Sequence, residues 1–136
     1  MEMITNATIT IYNHKFDEAS RLDTWEGTIL QDVHVYVDHR TKLMESGLKS
    51  ADVYKIRIPA TEKFVNNYLP PEEYAKQEHP GAYWTIQDND QIVLGVCEQR
   101  IEKPADLSSI LTKHCKVRSW SDNRFGSLPH WRIEGE

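Results

Sequence analysis

Two cysteines, six glycines and no long apolar run set the first limits on this 136-residue chain. Cys97 and Cys115 are too few for a disulfide framework, which points to a reduced, cytoplasm-like site of synthesis. So few glycines disfavour phosphate-cradling loops. Neither G-x-S-x-G, a Walker-type loop, H-E-x-x-H nor G-x-G-x-x-G occurs. The longest apolar run is only a few residues, too short for a membrane-spanning helix, so no membrane association is expected. The opening Met1-Glu2-Met3-Ile4-Thr5-Asn6 has neither a basic region nor an apolar one, and a secretory signal is not expected. The formal net charge of -5 argues against general nucleic-acid binding, which needs a basic face to displace counterions.

Four Trp, six Tyr and three Phe supply large burial per side chain and exclude disorder. Thr8 to Tyr12 alternates with period two and reads as a strand. Asn13 to Asp23 reads as a loop. Trp25 to Val37 gives the longest strand signal, with Ile29, Val33, Val35 and Val37 on one face. Leu30, Asp32, His34, Tyr36 and Asp38 fall on the other. His39 to Ser50 is charged and reads as a mobile loop. Asp52 to Ile58 alternates again, with Tyr54, Ile56 and Ile58 inward, until Pro59 ends it.

Residues 60–80 form an insertion, in which Pro70-Pro71-Glu72-Glu73 announces one or two helical turns. It is too short and polar to be expected in the core. Tyr83 to Ile86 reads as extended, Asp88-Asn89-Asp90 as a turn, and Gln91 to Val96 as a buried strand. Leu107, Ile110 and Leu111 are at helical spacing between Pro104 and Lys113. The expectation is a mainly β, single-domain chain spanning residues 1–136: a small antiparallel barrel or sandwich of about six to seven strands with one or two short helices.

Residues 113–134 predict a C-terminal hairpin that reverses the charge of the chain. Residues 1–112 carry 11 basic and 18 acidic side chains, whereas residues 113–136 carry 5 and 3. In phase with Lys116 and Arg118, Trp120 is expected at the surface as a contact residue; Trp131, in phase with Ile133, is expected in the core. Candidate partner-binding residues are therefore Arg118, Trp120, Arg124 and Phe125, with Arg40, Lys42 and Lys49 in the charged loop. Head-to-tail association of copies is one use for such polarity. A polar site at His34, Tyr36 and Asp38 is the alternative, pointing to a ligand- or metal-binding module or enzyme. Residues four apart on a strand stand about 13 Å apart, too far to share one ion. Cys97, His114, Cys115 and His130 lack the short pair spacing of zinc sites. Neither a metal, a cofactor nor a catalytic role is expected. A nucleic-acid role for the basic hairpin is the least favoured reading.

Several phrases resemble an uncharacterised family of small proteins from phages and prophages of Gram-positive bacteria. These are Ile4 to Asn13, Ser50 to Pro59, Ser119 to Arg124 and Pro129 to Ile133. A weaker similarity links Ala7 to Ile11, Thr24-Trp25-Glu26, Val33 to Val37, Tyr54 to Ile58 and Asp90 to Gly95 to head–tail joining proteins of tailed phages. That likeness implies a barrel-like subunit forming a ring between portal and tail. It also implies portal or tail proteins as partners, DNA at most passing through the channel, and residence in the host cytoplasm during assembly and then in the virion. The insertion at 60–80 and the C-terminal hairpin depart from the pattern.

Overall fold

The computed structural model describes residues 6–18, 20–39, 41–44, 47–50, 52–77, 80–109 and 113–136. Six strands close an antiparallel barrel: β1 (Ala7–Asp17), β2 (Leu22–Asp38), β5 (Val53–Pro59), β8 (His130–Gly135), β7 (His114–Asn123) and β6 (Gln91–Val93), in that order around the wall. Closure gives each barrel strand a neighbour on both sides, with β2 joined to β5 over His34–Asp38 and β1 joined to β6 over Thr10–Tyr12. Two further strands, β3 (Thr41–Met44) and β4 (Gly47–Ser50), pair with one another in a separate two-stranded sheet. The expected barrel is present, and the segment expected to be a mobile loop contains this hairpin.

Alternation builds the interior. Ile9, Ile11, Ile56, Ile58, Ile92 and Ile133 are completely buried, each stabilising the fold by roughly 1.5–3 kcal/mol relative to an exposed side chain. The alternation on β2 has a break that a uniform strand does not predict. Ala7 faces Val33 and Thr8 faces Gln31, so Asp32 is an extra residue without a partner in the β1 ladder. Its φ of 64° is left-handed, a conformation that aspartate tolerates better than most residues. The bulge switches the inward phase. Leu30 before it and Val33 after it are both buried, whereas Ile29, assigned inward from the sequence, is exposed.

β1 also runs farther than expected, through Asn13 to Asp17, and β2 follows from Leu22, with Glu18, Ser20 and Arg21 in turn conformation between them. The expected loop from Asn13 to Asp23 is therefore mostly the tip of a hairpin. The strand expected over Gln91 to Val96 is shorter, ending at Val93. Trp84 makes only an isolated bridge to Tyr68 in the segment expected to be extended. Pro104–Ser109 is a 3-10 helix that buries Leu107; Ile110 and Leu111 lie outside the described residues.

The insertion contains α1 (Glu62–Val65) and α2 (Pro71–Tyr74), each a single turn. Contrary to expectation it contributes to the core. Phe64 and Tyr68 are buried in one cluster with Trp84 and Trp131, and Tyr74 is buried as well. Tyr68 stacks against Trp131 at 4.7 Å and Trp84 at 4.9 Å, and Trp84 meets Trp131 edge-on at 5.0 Å. The Trp84 indole N–H donates to the Phe64 carbonyl at 3.1 Å, tying the plug to α1. These rings close the barrel end at which β5 finishes and β8 begins. The paired arm β3–β4 leaves from the opposite end, between β2 and β5.

Candidate functional site

The C-terminal hairpin forms as expected, but β7 contains a second bulge that redirects its side chains. Val117 faces Gly135 and Ser119 faces Glu134, leaving Arg118 out of register. Cys115 and Val117 are buried before the bulge; after it, Trp120 pairs with Ile133 and packs half-buried against the core. Arg118 is exposed at the bulge itself and reaches Glu136 at 3.7 Å. The shared phase of Trp120, Lys116 and Arg118 read from the sequence is thus broken. Trp131 lies fully inside, as expected.

Arg124 turns back onto its own subunit. Its guanidinium grips Asp122 with two hydrogen bonds, 2.9 Å from Nε to Oδ1 and 2.7 Å from a terminal nitrogen to Oδ2. It lies 5.1 Å from the centre of the Tyr68 ring and 5.2 Å from that of Trp131, a cation–π lid on the aromatic plug. These hydrogen bonds from Arg124 hold the Asp122 carboxyl below its ordinary range against the opposing effect of burial. Phe125, next along, is 94% exposed. The charge reversal is also partly cancelled inside the hairpin, since Arg132 pairs with Glu134 at 2.9 Å.

The structure does not bring the candidate contact residues into one patch. Arg124 and Phe125 are at the plugged end of the barrel. Lys42 and Lys49 are directly opposite one another in the β3–β4 arm at the other end; Arg40 lies outside the described residues. At the base of the arm His39 Nδ1 meets Asp52 Oδ1 at 3.2 Å, bridging the chain where it enters and leaves. His34, Tyr36 and Asp38 stand in a row on the outer wall of β2, opposite Arg57, Lys55 and Val53 of β5. Tyr36 is 55% exposed there, so the row is open barrel surface and not a pocket. Among the described residues, no group of three or more His, Cys, Asp or Glu is placed to hold a metal ion.

Sequence reasoning missed a cleft of about 810 Å³ outside β1 and β2. The segment after β6 folds back over Thr10 and Tyr12 to make it. Thr10 Oγ1 donates to the Gly95 carbonyl at 2.8 Å and accepts from the Cys97 N–H at 2.9 Å. The Tyr12 hydroxyl donates to the Gln99 carbonyl at 2.6 Å. Gly27 is needed beside it, because a Cβ there would stand 2.9 Å from the Tyr12 ring. Tyr12, Trp25, Gly27 and Ile101 contribute to the lining, together with four carboxylate residues, Asp23, Glu26, Glu98 and Glu102, and one cation, Arg100. The sequence signal was available only as scattered acids either side of a tyrosine.

Beside the cleft lies a buried polar knot. Asp90, 1% exposed, accepts from Asn13 Nδ2 at 2.9 Å, the His14 N–H at 3.1 Å and Gln87 Nε2 at 3.1 Å. Burial nevertheless outweighs those donors and raises its pKa from 3.8 to about 6. A raised folded-state value means that the folded protein holds this proton more tightly than the unfolded chain. The associated stability is complete below the ordinary carboxylate pKa and is lost as pH rises through about 6, an effect of roughly 3 kcal/mol. Thermal melts from pH 4 to pH 7 should show this decline in the wild type and a flatter profile for Asp90→Asn.

Residues 4–136 match a family of unknown function (DUF6751). The chain belongs to that family. No curated protein and no solved structure matches it. Family membership spans the barrel, the insertion and the terminal hairpin alike, so these elements belong to one matched unit. Among the described residues, no helix is long and apolar enough to cross a membrane.

Proposed function

We propose that the chain is a non-catalytic structural subunit that assembles with copies of itself into a ring. The neck of a phage particle is the setting that the sequence resemblance implies. The observation that carries this reading is the β3–β4 arm, a hairpin that among the described residues pairs only within itself. An isolated two-stranded hairpin is marginally stable in water and gains stability by lying on another surface. A neighbouring subunit supplies such a surface. The barrel suits the role because its six strands pair with one another in a closed order, and the arm and the side chains on the outer wall are offered for association. Phe125, 94% exposed on the end opposite the arm, is a second contact, suited to a different partner along the particle axis.

Replacing residues 41–50 with a short Gly-Ser connection tests the reading. The barrel should keep its melting temperature within a few degrees, because the arm shares no ladder with it. Ring-sized species seen by sedimentation velocity and negative-stain microscopy should disappear. Unchanged rings from the armless protein would remove the arm from the account.

A further inference from the structure

The outer wall of β5 and β8 has a feature that a solitary barrel would avoid. Arg57 stands directly opposite Arg132, and both are exposed. Like charges placed face to face across a ladder destabilise a sheet, and the exposed pair of Arg132 with Glu134 at 2.9 Å offsets only part of that cost. Lys55 extends the basic stripe one pair along, opposite Glu134, and the exposed Tyr36 of β2 lies opposite Lys55. In the closed strand order, β8 is three places from β1 in either direction. The basic stripe and the cleft outside β1 and β2 are therefore two separate patches, built on different strand pairs of the wall.

The cleft has the complementary chemistry. Four carboxylate residues against one guanidinium give its lining a negative balance, and the half-buried Trp25 supplies aromatic surface. Carboxylates beside aromatic rings are what a guanidinium binds best, through forked hydrogen bonds and stacking on a ring face. At about 810 Å³ the cleft has room for side chains and not just a bare ion. We infer that Arg57 and Arg132 of one subunit dock into the Trp25–Glu98–Glu102 cleft of the next copy. Two unlike patches on one subunit make a heterologous contact, which closes into a ring when the rotation per subunit divides the circle. This interface rests on the self-assembly reading above and specifies where the subunits meet. The acids relieve the repulsion between Arg57 and Arg132 once a neighbour is seated.

Charge reversal on each side tests it. Arg57→Glu with Arg132→Glu removes the basic wall and leaves the cleft; Glu98→Lys with Glu102→Lys does the opposite. All four side chains are exposed, and circular dichroism should show both double variants folded. Each alone should self-associate at least tenfold more weakly than wild type in sedimentation velocity at low salt. Mixing them should restore association, because each retains the face that the other lacks. If wild type assembles and both variants assemble equally well, this interface is wrong while the assembly reading stands. If wild type is monomeric throughout, both fall. Should an arginine-rich peptide bind the cleft while subunits ignore one another, the occupant is a different protein and the proposal is overturned.

Discussion

Replacing Trp131 with alanine should lower the stability of the barrel by about 3–5 kcal/mol. The indole is completely buried and touches Tyr68 and Trp84 at 4.7 and 5.0 Å. Its removal leaves a cavity among rigid rings that cannot collapse to fill it. The loss is also cooperative, because Arg124 rests on Trp131 and Tyr68 together. Urea unfolding should show a lower midpoint with an unchanged slope, and the melting temperature should fall by roughly 10–20 °C. Trp120→Ala should cost much less, since that side chain is only half-buried against the same core. Equal losses at the two positions would contradict the assignment of Trp131 as the centre of the plug.

The second large effect is expected at Asn13. Its amide is buried and joins β1 to the segment before β6: Nδ2 donates to the Thr85 carbonyl at 2.7 Å and to Asp90 at 2.9 Å, while Oδ1 accepts from the Thr85 N–H at 3.1 Å. Asn13→Leu preserves volume and strands these partners without water. Each buried group left unsatisfied costs about 1–3 kcal/mol, so a total loss near 3 kcal/mol is expected at neutral pH. Asp90 loses one of the donors that favour its charged form, so its pKa should rise further and the variant should recover part of the loss at pH 4. A pH-independent loss would show that Asn13 and Asp90 are not coupled.

Strand positions were legible in the sequence wherever a short period-two pattern runs unbroken, as at Ile9 and Ile11 or at Tyr54, Ile56 and Ile58. The phase across β2 and β7 was not. One extra residue, Asp32 in β2 and Arg118 in β7, reverses every later side chain, and neither residue advertises a bulge. Ile29 was therefore assigned inward and Trp120 outward, with the opposite outcomes. The insertion was misread for a different reason. Its polar surface hides three widely spaced aromatics, Phe64, Tyr68 and Tyr74, and the first two are buried through contacts with Trp84 and Trp131 from distant segments. Periodicity cannot register such contacts. The same holds for the candidate site, because the cleft needs residues 97–102 to fold over Tyr12, tied there by hydrogen bonds that span more than 80 positions.

The separation of the predicted contact residues also sharpened the functional reading. The sequence grouped Arg118, Trp120, Arg124 and Phe125 as one docking edge. In the fold, Trp120 and Arg124 serve their own subunit, while Arg118 and Phe125 remain outside. A like-charge contact lies instead between Arg57 and Arg132, residues that face one another across the β5–β8 ladder. Exposed ion pairs such as Arg132–Glu134 contribute little on their own. Their value here is in choosing which face meets which.

The most direct test of self-assembly is the mass of the purified wild-type chain at low salt, followed by sedimentation velocity up to about 1 mM, where even an association worth only about 4 kcal/mol registers. The account predicts a closed species whose mass is a whole-number multiple of 15.8 kDa and which dissociates as salt is raised. A single 15.8 kDa species at every concentration would contradict it.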